Sequence, residues 1–138
     1  MKPVVTRKVG IATCILFAPL AACTDEVRVT DLYGRYSYSQ GDVEQVIVLQ
    51  EFGVYSNTLF ISGKQKWQYD ATWKFDSDGS RQIEFDQFKF GIMWYGSKEY
   101  GGGQRGFWGV EPERSVFSGG ILLCLDPDDA YRCFHKAG

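Results

Sequence analysis

Histidine is almost missing from this 138-residue chain: His135 is the only one. A Ser-His-Asp triad would have to use it, close to the C-terminus, and no G-x-S-x-G nucleophile elbow accompanies it. The same shortage excludes histidine-rich metal sites. Proline is sparse, with four residues, and no proline-rich linker or long charge run divides the chain. No apolar run approaches the roughly 20 residues of a membrane-spanning helix, since Val9 to Leu20 is well short of it. Gly101-Gly102-Gly103 lacks the Lys-Ser/Thr that would make a phosphate-cradling loop. The 15 basic and 17 acidic residues nearly balance, which gives no electrostatic reason to bind nucleic acid. No cofactor motif is present.

The N-terminus does carry a pattern. Lys2, Arg7 and Lys8 precede the apolar run, and Leu20-Ala21-Ala22-Cys23 follows it. A basic start, a short apolar stretch and small residues read as a secretory signal. With cysteine at the cleavage point, the segment resembles the lipobox of bacterial lipoproteins. That resemblance implies cleavage before Cys23, lipid on its sulfur, and attachment to a membrane of the cell envelope. Thr24 rather than Asp follows the cysteine, which by the same resemblance favours an outer membrane facing the periplasm over the inner one. The expected division is a signal peptide at 1–22, a lipidated N-terminus and polar tether at 23–31, and one domain at 32–138. Loss of Lys2, Arg7 and Lys8 leaves 12 basic against 17 acidic residues, a net charge of −5. Such a domain steers cationic protein partners toward itself.

Four cysteines are present. If Cys14 leaves with the signal and Cys23 takes the lipid, Cys124 and Cys133 remain as a pair for an oxidising compartment. They face each other across an expected hairpin, with Asp128-Asp129 at its tip. C-x-x-C redox or metal spacing is absent, so a structural disulfide is the expectation.

Two-residue alternation dominates the rest. Trp67, Tyr69, Ala71, Trp73 and Phe75 occupy odd positions with polar residues between them, which puts five apolar side chains on one face of a strand. Further strands are expected at Leu32–Tyr38, Glu44–Gln50, Tyr55–Ile61, Gln82–Phe88, Gly106–Val110, Gly120–Leu125 and Tyr131–His135, separated by Gly- and Asp-rich turns. Gly79 suits the left-handed end of a hairpin turn. In Ile83 to Phe90 the apolar phase switches from odd to even, so a bulge is expected near Asp86. No helical stripe follows Cys23. About eight short strands make an all-β domain, a single antiparallel up-and-down barrel or strongly curved meander. The pattern Leu32-x-Gly34-x-Tyr36, Glu44 with Ile47 and Leu49, Phe52-Gly53-x-Tyr55 and Thr72-Trp73 is similar to that of small lipocalin-like domains of bacterial lipoproteins.

Catalytic chemistry has little to work with. Glu111 and Glu113 flank Pro112, and Glu84 and Asp86 share a strand face, but paired carboxylates at such spacing are ordinary surface acids unless their environments differ. The Asp126-Pro127-Asp128-Asp129 turn lacks calcium-loop spacing. Aromatic residues are the excess: 4 Trp, 8 Tyr and 10 Phe. Trp94, Tyr95, Tyr100, Phe107 and Trp108 lie in or beside the long irregular segment from Gly91 to Gly106, where Tyr and Trp suit a partner- or ligand-binding surface. The leading expectation is therefore a non-enzymatic, lipid-anchored envelope protein that binds another protein through loops at one barrel end, in the manner of inhibitor or immunity lipoproteins. A lipocalin-like carrier of a small apolar ligand is the alternative, followed by an enzyme acting on envelope glycans.

Overall fold

All of the alternating segments form strands in the computed structural model, which describes residues 26–92, 104–126 and 132–138. In chain order these are β1 (Gly34–Gln40), β2 (Val43–Leu49), β3 (Val54–Ile61), β4 (Lys64–Phe75), β5 (Ile83–Phe88), β6 (Gly106–Val110), β7 (Pro112–Arg114), β8 (Ile121–Cys124) and β9 (Cys133–Lys136). Every pairing is antiparallel, in the order β6-β5-β4-β3-β2-β1-β9-β8-β7. The sheet curls until the chain runs from one edge to the other through Glu111 alone. β6 pairs with β5 and β7 with β8, leaving one unsealed seam in a nearly closed barrel. The expectation of about eight strands becomes nine among the described residues, because the segment 106–114 changes partner midway, at Pro112, which has no N–H to donate.

Side chains from opposite walls meet inside. Phe88, Trp108 and Phe134 lie 4.6–6.5 Å apart by ring centroid, and Tyr38 reaches Phe134 at 5.8 Å. Phe85 stacks on Trp108 at 5.1 Å and packs edge-on against Tyr55 at 5.0 Å. These rings, with Tyr36, Leu32, Ile47, Leu49, Ile83 and Leu123, form one buried cluster, the filled interior that a small barrel requires. In β4 the buried phase is the odd one, as its alternation implies, with Trp73 most deeply placed and its indole N–H donating to the carbonyls of Val54 and Gln50. The expected bulge is present: the β5–β6 register shifts between Phe85 and Phe88, and Gln87 has φ 55°.

Three expectations need correction. The chain at 26–31 is not a free tether. Val27 is buried, Val29–Leu32 forms a single helical turn, and Leu32 enters the core. Asp31 accepts from the Arg28 N–H at 3.0 Å and pairs with Arg114 at 3.1 Å, and the Lys136 ammonium donates to its carbonyl. The Arg28 amide first, then the Arg114 charge, hold its carboxyl below the usual range. Second, Gly79 does not supply the left-handed residue of its turn; Arg81 does, at φ 56°. A Cβ at Gly79 would lie 2.4 Å from the Asp76 carboxylate that accepts from the Gly79 and Ser80 amides, so a larger residue there would displace that side chain. Third, the strand expected from Leu32 begins at Gly34, after the helical turn.

Cys124 and Cys133 form a disulfide with Cα atoms 3.9 Å apart. They are direct partners in the β8–β9 ladder, and the Leu125 N–H donates to the Arg132 carbonyl just beyond them. This makes theirs the close, non-hydrogen-bonded type of pair. The expected Asp128-Asp129 tip lies outside the described residues. A short closed loop is worth about 2–3 kcal/mol in the chain-entropy account. Replacing both cysteines by alanine should lower stability by that amount in urea titrations; an unchanged midpoint would show that the bridge adds nothing.

Candidate functional site

The segment after the bulge does not leave the barrel at once. It crosses the inner face of β2, β3 and β4, held there by side chains. Gln45 on β2 and Asn57 on β3 are fully buried and lie in the inward phase that is otherwise filled by Val43, Ile47 and Leu49 on β2 and by Tyr55 and Leu59 on β3. Both donate to the Lys89 carbonyl, at 2.8 and 3.0 Å. Gln45 also donates to the Asn57 side-chain oxygen at 2.9 Å and accepts from the Gly91 N–H at 2.8 Å. The Tyr69 hydroxyl accepts from Asn57 and from the Lys89 N–H, and donates to the Gln87 carbonyl at 2.9 Å. Tyr55 donates to the Asp86 carbonyl at 2.8 Å. Burial first, then Tyr69 beside it, pushes the Tyr55 phenol far above its ordinary range, so it remains a donor.

This network replaces, for residues 86–91, the ladder bonds that the bulge removes. It is tight as well as satisfied. A Cβ on Gly91 would lie 2.3 Å from Leu59 Cδ1, and Ile92 packs against Val43 and Leu59. Over the outer edge of this plug, the Arg105 guanidinium stacks 4.0 Å from the Tyr69 ring and Lys89 lies 5.2 Å from Trp67. Both roots of the β5–β6 connection are thus fixed at one end of the barrel.

Of the aromatics expected to bind a partner or ligand, Trp94, Tyr95 and Tyr100 lie outside the described residues. Phe107 and Trp108, adjacent in β6, point to opposite sides as strand geometry dictates. Phe107 is 69% exposed, whereas Trp108 is only 9% exposed and stacked among Phe85, Phe88 and Phe90. Trp108 is therefore core, a correction that follows from the inward phase set by Phe85 opposite it. Phe107 borders an open groove of about 510 Å³ on the outer wall, lined also by Thr72, Lys74, Glu84, Asp86 and Phe52. Lys74 and Glu84 pair across it at 2.6 Å. Glu111 and Glu113 are both exposed along the seam, and His135 is exposed on β9. Among the described residues, no group of three His, Cys, Asp or Glu side chains is placed to hold a metal.

Gln45 and Asn57 escaped the sequence reading, although each interrupts an inward apolar phase. Two such interruptions on neighbouring strands were the available signal. No protein-family model matches the chain, and no curated protein or solved structure is significantly similar to it.

Asn57→Leu would leave Gln45, Tyr69 and the Lys89 carbonyl short of partners inside the barrel. A loss of about 2–4 kcal/mol is expected from urea unfolding. A change below about 0.5 kcal/mol would mean that the network is incidental.

Proposed function

We propose that this chain is a non-enzymatic, lipid-anchored protein of the cell envelope that binds another protein through the barrel end bearing the β5–β6 connection. The observation carrying this reading is a polarity of the barrel. The chain enters at one end, where residues 26–32 cap the core, while the β5–β6 connection departs from the other, where Gln45 and Asn57 clamp its root; Phe107 lies on the outer wall between them, in the groove it shares with Phe52. A lipid on Cys23, three residues before Glu26, would hold the first end at a membrane and leave the second facing away. The lipobox pattern, the Thr24 that follows it and the Cys124–Cys133 bridge support an envelope location, on the periplasmic side of an outer membrane.

The lipocalin-like carrier has less support. Phe88, Trp108, Phe134 and Tyr38 meet across the interior at the level where a ligand would sit. A glycan-acting enzyme has less still: Glu84 is ion-paired with Lys74, and Glu111 and Glu113 share one exposed environment instead of the two different ones such chemistry uses.

The test begins with Phe107→Ser in the full chain expressed in an envelope. Stability should move by less than about 0.5 kcal/mol, while crosslinked capture of a defined envelope protein falls at least tenfold. Undiminished capture would remove Phe107 from the surface. Native mass spectrometry of the same protein discriminates the carrier, for which an apolar molecule of a few hundred daltons would accompany the folded chain and leave on denaturation.

A further inference from the structure

Exposed apolar side chains are distributed very unevenly over the barrel. The turns from β2 to β3, from β4 to β5 and from β7 to β8 all lie at the end where β1 begins, by the up-and-down order of the strands. At that end Phe52 is 96% exposed, Phe117 97% and Val116 89%, with Val29 and Val54 exposed beside them. Among the described residues, Phe107 is the one other large hydrophobic so exposed. The described turns of the opposite end are polar: Ser62 donates to the Asp42 carboxylate, next to Gly41 and Gly63.

These apolar tips are held in place. The Ser115 hydroxyl accepts from the Phe117 and Ser118 amides, and the Ser115 N–H and carbonyl bond Gly120 and Gly119. Val116 and Phe117 are thereby fixed at the apex of their turn. Phe52 and Gly53 take the left-handed backbone, at φ 63° and 72°, that closes the tight β2–β3 turn, a position where Asn, Asp or Gly costs less than a fully exposed phenylalanine. A large aromatic side chain there, 96% exposed and outside the core, points to a use beyond packing.

The chain itself indicates what covers these tips. Residues 26–32 cross this end, and Glu26 reaches Arg81 at 2.7 Å beside the β4–β5 turn. Cys23 lies three residues earlier and so within about 10 Å of Glu26. Around the rim, the turns bearing Phe52 and Phe117 flank this crossing on either side. We infer that Phe52, Val116 and Phe117 dip into the surface of a lipid bilayer, forming with the N-terminal lipid a multi-point contact that sets the barrel upright. The direction rests on the anchored reading above; the contact itself does not need the lipid. Charges on this rim are mixed, with Arg81 beside Glu26 and Arg114 beside Asp31. The surface it fits is therefore zwitterionic, and the contact depends weakly on salt.

Photo-crosslinking tests this on the full chain. Benzoylphenylalanine replaces Phe52, Phe117 or, as a control at the opposite end, Lys64, and the protein is irradiated with phosphatidylcholine vesicles. Intact mass reports both lipid adducts and any acyl group on Cys23. Adducts at 52 and 117 at least tenfold above those at 64, in low and high salt alike, are the expected result, whether or not Cys23 is acylated. An acylated, vesicle-bound chain with no excess at 52 and 117 would overturn the contact while leaving the anchor standing. Adducts on an unacylated chain would support the contact and remove the anchor. An unacylated chain without adducts, or crosslinks from these positions to protein in place of lipid, would overturn it.

Discussion

The clamp that Gln45, Asn57 and Tyr69 place on the backbone of residues 87–91 governs much of this barrel. A curved sheet of this size needs its interior filled, and most of it is filled by rings. Between β2 and β4, however, the filling is a piece of main chain, which brings N–H and C=O groups that must be bonded when removed from water. Two amide side chains and two phenols meet that need: the Lys89 carbonyl takes two donors, and the Lys89 and Gly91 amides each find an acceptor. Had the inward phase of β2 and β3 been wholly apolar, the segment would have been expelled and the barrel left with a void.

That placement has consequences on both sides of the bulge. Before it, Phe85 points inward and stacks on Trp108; after it, Phe88 also points inward, so the one-residue shift adds a second ring to the core. Beyond Gly106 the chain resumes pairing with β5, then passes through Glu111 to pair with β8. The unsealed seam is therefore bridged covalently by the chain itself. At the far end, the helical turn and Val27 close the core, and the Arg114–Asp31 and Lys136–Asp31 contacts tie that cap to β7 and β9.

Strand positions, the bulge and the disulfide were legible in the sequence because each depends on local alternation or on a pair of residues facing across one hairpin. Trp67 to Phe75 reads as a half-buried strand and is one. What was not legible depends on three dimensions. Trp108 and Phe107 are equivalent by composition, and only the register with Phe85 decides which faces in. Polar residues at Thr24 to Asp31 suggest a tether, yet Val27 and Leu32 find the open barrel end and order the chain between them. Phe52 and Phe117 sit in turns where apolar residues carry no periodic signal, so their exposure emerged only with the fold. The charge pairs on the rim were invisible for the same reason, since Glu26 and Arg81 are remote in sequence.

The barrel thus has two unlike ends: one capped by the incoming chain and ringed by apolar tips, the other closed by a hydrogen-bonded plug from which the β5–β6 connection departs. The most direct test of the clamp is native-state hydrogen exchange at the Lys89 and Gly91 amides, whose acceptors are side chains rather than a neighbouring strand. If the plug is integral, both amides exchange only with global unfolding, as slowly as the β2–β3 ladder. Exchange of either at the rate of an exposed turn amide such as that of Gly63 would show that the plug opens independently, and the clamp would not be what holds the barrel together.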